Sequence, residues 1–424
     1  MDRTWGQDHL NHDVCDYLAA GVDPNVSARA AALGINSTNA SWETVLDTFL
    51  DAMDAENPDF VMVAGDMFGG RWTYDGLPEG DNWSVFSDGQ GLFGPIFSGS
   101  SDPGRTLAVE NARVELTADT YYPQWLDRFT DDGRSMGTVL AAVGDHEVGD
   151  DLPWDLDPLG LDVVPTYRAK FSEHIVDPIV NNGTVYSQPS SGQHADSAYS
   201  VKHKNMMVIT LDVFKQETDG SITATVDGDQ LDWVEDQIDD AKADPNIDHI
   251  IVQGHTPIKA PVPARNSSEL LLEDGTNSAI WQLMDQEGVD FYFAGEVHDV
   301  SVRQDGSQSS LLQVVHGAAY GHESLQSVNY LVGTVDGDRI DLEIKSIGMT
   351  PSGGSLYQPG TDIHIKDNLE LDIITGFESM GTITVDKSTG TPVFSNASGV
   401  FDEEDNPVAG PTYHTMTSTG SWGG

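Results

Sequence analysis

Four times along the chain an apolar run of strand length ends in a glycine, and polar residues able to bind a metal or a phosphate follow at once. Asp59–Ala64 runs into Gly65-Asp66, and Thr138–Val143 runs into Gly144-Asp145-His146-Glu147. Asp248–Gln253 runs into Gly254-His255-Thr256-Pro257, and Val289–Ala294 into Gly295-Glu296-Val297-His298. Short continuous apolar runs bounded by turn residues read as buried strands. In α/β sheets ligands bind at the carboxyl ends of strands. The four ends therefore predict one site that is acidic and carries imidazoles.

Helical periodicity fills the intervals between them. Trp42, Val45, Leu46, Phe49, Leu50 and Met53 recur at three- and four-residue steps; Ser41 is the N-cap and Asn57-Pro58 the stop. Residues 67–120 read as a long excursion rich in Gly, Asp, Ser and Trp, followed by a short helix over Tyr121–Phe129. Further helices are predicted near Thr166–Val176, over Asp229–Ala243 and near Ser278–Gln286, and adjacent strands over Ala198–Val201 and Met206–Asp212. After Val300 only strands follow: Ser301–Arg303, Leu311–His316, Tyr330–Val335 and Ile340–Ile347, the last two joined through Asp336-Gly337, a hairpin signal. Residues 348–424 are richer in Ser, Thr and Gly and read as a small β extension or partly disordered tail.

Composition narrows the function classes. The net charge is -49, from 20 Lys+Arg against 69 Asp+Glu, and it is spread along the chain. Such a charge disfavours nucleic acid and anionic membranes. It reads as the solvated acidic coat of a protein from a high-salt environment, with an acidic surface for a cationic partner as the lesser reading. Cys15 is the single cysteine, which excludes an intramolecular disulfide. No apolar run has membrane-spanning length, and no apolar signal core opens the chain. The expectation is a soluble protein, cytoplasmic or secreted.

Taken in order, the four blocks resemble those of the calcineurin-like metallophosphoesterases, which include purple acid phosphatases and many phosphodiesterases. The family's blocks read Asp-x-His, Gly-Asp, Gly-Asn-His-(Asp/Glu), Gly-His-x-Pro or similar, and Gly-His-x-His. The resemblance covers roughly residues 1–347, which would form the catalytic domain, with 348–424 as the extension. It implies an α/β sandwich of two mixed sheets flanked by helices. It also implies hydrolysis of a phosphate ester, monoester or diester, by two divalent metal ions; such ions clamp phosphoryl oxygens and lower the pKa of water.

Residue by residue, the resemblance makes Asp66 the bridge between the metals. Asp145, His255 and Glu296 bind one metal; His298 binds the other with the Asp-x-His pair. His146 orients the phosphate and protonates the leaving oxygen, and Glu147 holds the His146 imidazole. Asp145 stands where the family usually has Asn, and Glu296 where it usually has His. These oxygen donors shift preference from Zn toward Mn, Mg or Ca. Among Mn, Fe, Zn, Mg and Ca, Mn is favoured. The first block is the least regular: Gln7-Asp8-His9 puts His9 in register, and Asp8 serves only through a one-residue shift. Arg71 is a candidate for substrate oxygens or a plain surface arginine. Gly69 stands where purple acid phosphatases carry a tyrosine ligand, so a tyrosinate-bound ferric ion is not implied. The competing functional readings are a non-catalytic binding protein on a degenerate scaffold of this family, and a structural metal-binding protein.

The charge makes the first prediction. Unbalanced acidic groups repel one another most at low ionic strength. The melting temperature should therefore climb from dilute buffer to molar salt, and a flat profile would contradict the acidic-coat reading.

Overall fold

The computed structural model describes residues 49–67, 107–130, 133–149, 158–259, 270–296, 301–304, 309–316, 327–352, 370–373, 377–388, 393–395 and 400–401. Within them the fold is mixed α/β, as the sequence predicts, with a large mixed sheet, flanking helices and a C-terminal β-sheet.

Residues 49–55 are helical (α1) and lead through Asn57-Pro58 to β1 (Phe60–Val63). Helix α2 (Leu107–Asp127) is 21 residues long. It begins fourteen residues before the predicted Tyr121, inside what reads as excursion. Its buried stripe, Val114, Ala118, Tyr122 and Trp125, continues at helical spacing through Pro123, and Phe129 is buried just past its end. Strand β2 (Thr138–Ala141) pairs parallel with β1. Helix α3 (Pro158–Phe171) starts eight residues before the expected Thr166 and runs into a π-helical turn, Ser172–Val176, and the short α4 (Asp177–Asn181).

The main sheet is built from β3 (Val185–Ser187), β4 (Tyr199–His203), β5 (Met206–Thr210), β8 (His249–Gln253), β9 (Phe291–Ala294), β10 (Ser301–Gln304), β11 (Leu312–Val315) and β17 (Val400–Phe401). Its order is β17-β10-β11-β9-β8-β5-β4-β3. The centre, β5, β8, β9 and β11, is parallel. Every residue of those four strands is buried, which is why they read as continuous apolar runs rather than alternating ones. A small hairpin, β6 (Phe214–Gln216) and β7 (Ile222–Ala224), follows β5. Helices α5 (Gly228–Ala243) and α6 (Ala279–Glu287) supply the crossovers that parallel strands require. Ser278 caps α6 by accepting from the Trp281 amide.

The β1–β2 pair lies over the main sheet. The Gln253 Nε2 amide donates to the Leu140 carbonyl at 3.0 Å, and the Tyr199 hydroxyl donates to the Ala141 carbonyl at 2.9 Å. A five-stranded sheet, β12 (Ser327–Asp336), β13 (Arg339–Ser352), β14 (Glu370–Ile373), β15 (Glu378–Asp386) and β16 (Val393–Ser395), completes the layer. Gly337, at φ 58°, turns the β12–β13 hairpin. Its carbonyl accepts from Asn205 Nδ2 and lies 2.9 Å from His249 Nε2, which ties this hairpin to the main sheet. Among the described residues no helix is long and apolar enough to cross a membrane.

Candidate metal centre

The carboxyl ends of β1, β2, β8 and β9 meet at one point. Asp66, Asp145, His255 and Glu296 each bring a ligand atom there, all within 4.8 Å of one another, and all four residues are buried. Backbone geometry aims two of them. Asp66 (φ 53°) and Glu296 (φ 63°) lie in the left-handed region, which costs a non-glycine residue about 1–2 kcal/mol. Each turns the chain sharply away from its strand and points the carboxylate inward.

The imidazole of His255 is the hub. Its Nδ1 lies 2.5 Å from the Ala64 carbonyl oxygen, which can only accept, so Nδ1 carries a proton. The opposite nitrogen, Nε2, faces three carboxylates: Asp145 at 3.0 Å, Glu296 at 3.1 Å and Asp66 at 3.4 Å. Burial works against an imidazolium here. The charge of Asp66 and the hydrogen bonds to Asp145, Asp66 and Glu296 outweigh it and hold the His255 pKa well above its ordinary value. Three anionic oxygens around Nε2 call for a positive charge, which the Nε2 proton supplies in the metal-free site. A divalent metal ion satisfies the same geometry with the proton removed. Three oxygens and one imidazole nitrogen form a donor set that fits such an ion.

Glu147 binds the loops rather than the centre. Its Oε2 accepts from the amides of Asp66 (2.7 Å) and Gly144 (2.8 Å), and its Oε1 from the Met67 amide (2.9 Å). These bonds lock the turn after β1 to the turn after β2. Burial, then the charge of Asp66, pushes the Glu147 carboxyl up to about 7, against the pull of the Gly144 and Asp66 amides. The hydrogen bonds of Glu147 thus go to backbone amides rather than to the His146 ring. His146 is buried in the short 3₁₀ turn His146–Val148. Its amide donates to Asp66 Oδ1 at 3.3 Å, and its Nε2 lies 3.8 Å from Asp66 Oδ2. It sits beside the cluster but outside the four donors. Arg71, Asp8, His9 and His298 lie outside the described residues.

No family model matches the chain, and no curated protein matches it. Solved structures do. PhoD is 12% identical with a TM-score of 0.46, over 84% of this chain and 70% of that one. The purple acid phosphatase PPD1 from yellow lupin (Lupinus luteus) seeds is 13% identical with a TM-score of 0.38, over 71% of this chain and 46% of its own. GAP50, the anchor in the inner membrane complex of Plasmodium, is 12% identical with a TM-score of 0.30, over 84% of each chain.

A buried ion pair that sequence reasoning missed stands behind the hub. Asp212, just past β5, binds Arg168 Nε at 2.8 Å, the Ser197 hydroxyl at 2.7 Å and the Phe214 amide at 3.1 Å. Arg168 also donates to the Phe214 carbonyl. The Phe214 ring held in this way lies 6.1 Å from the His255 ring. Burial opposes the Asp212 charge, but Arg168 and the other partners hold its pKa below the ordinary value. The signal in the sequence was an Asp inside an otherwise apolar strand end, Leu211-Asp212-Val213-Phe214.

Glycine makes the close approach between the loops feasible. A Cβ on Gly144 would lie 2.1 Å from Asp66 Oδ1 and 2.5 Å from the Asp66 amide nitrogen. Gly144→Ala must therefore displace Asp66. The expected outcome is a loss of about 1–3 kcal/mol in stability and roughly a 10–100-fold loss in Mn²⁺ affinity, read by thermal unfolding and calorimetric titration. Unchanged values for both would mean that the two loops are not seated against each other in this way.

Proposed function

We propose that the chain is a metal-dependent hydrolase of phosphate esters, with two divalent ions per chain. The observation that supports it is the convergence of three buried carboxylates on the Nε2 of His255, whose Nδ1 is committed to a carbonyl. When bound, divalent ions supply Lewis acidity: they draw charge from phosphoryl oxygens and lower the pKa of water. Asp66, Asp145, His255 and Glu296 would hold the metal at this cluster, with Asp66 as the carboxylate that the resemblance assigns to both ions. The remaining donors in this reading, His298 with Asp8 and His9, and the substrate-facing Arg71, come from the sequence alone. The oxygen-rich set favours Mn.

His146 is the general acid in this reading. What supports it is its position: it is buried, its Nε2 lies 3.8 Å from Asp66, and its backbone amide donates to Asp66, so a phosphoryl group bound at the cluster would lie within reach of the ring. Proton transfer from a positioned side chain is worth about 10²–10⁴-fold in rate. His146→Ala should lower turnover by about that factor on alkyl phosphates, whose leaving oxygen needs a proton, and by less on an activated aryl ester, while about two Mn²⁺ per chain remain bound. Asp66→Ala should lose metal and activity together. Folded protein that binds no Mn²⁺ would overturn the hydrolase reading. Release of metal by His146→Ala would make His146 a ligand and not the acid.

A further inference from the structure

Strand β2, which ends toward Asp145, pairs with one edge of β1. The other side of β1 faces a cavity that separates it from β12. On the wall of that cavity, together with Val63, stands an imidazole that neither the four blocks nor the cluster uses: His316, the residue after β11.

The ladder fixes where this ring is. Strands β11 and β9 pair parallel with Val315 opposite Ala294, and the His316 amide continues the ladder by donating to the Ala294 carbonyl at 3.1 Å. His316 therefore stands opposite Gly295. Residues opposite each other in a sheet point to the same face, and alternate residues of one strand share it. On β9 that face carries Phe291, Phe293 and Gly295, and both phenyl rings line the cavity with His316. Gly295 meets the hub on the same face: a Cβ there would lie 2.7 Å from the Ala64 carbonyl oxygen and 3.1 Å from His255 Nδ1. At this level of the sheet only a glycine separates His255 from His316. Two strand spacings put their backbones roughly 10 Å apart, a gap that two imidazoles and a pair of ions about 3.5–4 Å apart can span.

The ring is also equipped as a ligand rather than as a structural bridge. His249, in the same sheet, shows what a bridge looks like: Asp290 faces its Nδ1 at 3.3 Å and the Gly337 carbonyl its Nε2 at 2.9 Å. Among the described residues no hydrogen-bond partner meets the His316 ring. Burial pushes its pKa down to about 3, so the ring is neutral and binds a metal without first giving up a proton. An uncharged donor adds nothing to the repulsion among Asp66, Asp145 and Glu296.

We infer that His316 is a ligand of the second divalent ion, an inference that rests on the two-ion reading given above. Calorimetric titration of the full chain with Mn²⁺, paired with pulsed electron paramagnetic resonance of the loaded chain, tests it in His316→Ala and His316→Gln. Glutamine keeps a polar side chain of similar reach in case the alanine variant does not fold. The native chain should bind about two Mn²⁺. Both variants should hold the first ion as before and bind the second more weakly, by more than the roughly 10–100-fold that loss of an outer hydrogen-bond partner costs. At saturating Mn²⁺ one ¹⁴N coupling to the metal should disappear in both, a change that a purely structural role would not produce. Two ions bound at native affinity, or an undiminished nitrogen coupling, overturn the inference and leave the two-ion reading standing. A native chain that binds fewer than two ions overturns that reading, and the inference with it.

Discussion

Three carboxylates facing one imidazole nitrogen is the contact on which the rest of this structure depends. Two like charges less than 5 Å apart repel by about 3–4 kcal/mol at an effective dielectric of 20, and Asp66, Asp145 and Glu296 are all buried within that range. His255 is the counterweight, and its protonated Nδ1 is anchored to the backbone of the first loop. Fold elements answer to this point. Four parallel-running ends deliver the donors, Glu147 clasps two loops by their amides, and the Arg168–Asp212 pair holds Phe214 against the hub. Left-handed backbone at Asp66 and Glu296 is strain retained at the same place.

The arrangement separates holding from reacting. Residues that only accept amide bonds, such as Glu147, stabilise the loops whether or not an ion is present. The three carboxylates around Nε2 do the opposite: they repel one another, and a positive charge among them, such as the proton His255 retains, offsets that repulsion. His146 is positioned through Asp66 as well, so a group that leaves the four donors undisturbed still depends on their geometry.

Much of this was legible in the sequence, and the reason is local. A buried parallel strand is a continuous apolar run, and a glycine followed by Asp, His or Glu marks its end; Asp66, Asp145, His255 and Glu296 were found by that signal alone. The helix predicted over Asp229–Ala243 from its apolar periodicity, observed at Gly228–Ala243, and the hairpin predicted from Asp336-Gly337 rest on signals that are equally local. What escaped depends on tertiary contact. Helix α2 hides its first half because the buried stripe there rests on Val114 and Ala118 alone amid charged and polar neighbours, and Pro123 reads as the first turn of a helix rather than its middle. Pro165 does the same inside α3. The grip of Glu147 on three amides and the clash space at Gly144 exist only when residues some 80 positions apart meet.

The most direct test of the central claim is thermal unfolding of the full chain in molar salt, where its net charge of -49 is screened, with Mn²⁺ added or a chelator in its place. A ligand that binds only the folded state at 100 times its dissociation constant stabilises it by about 2.7 kcal/mol. The melting temperature should rise saturably with Mn²⁺ in the native chain, and this rise should vanish in His255→Ala. A melting temperature indifferent to Mn²⁺ and chelator alike, in protein that is folded, would contradict the account.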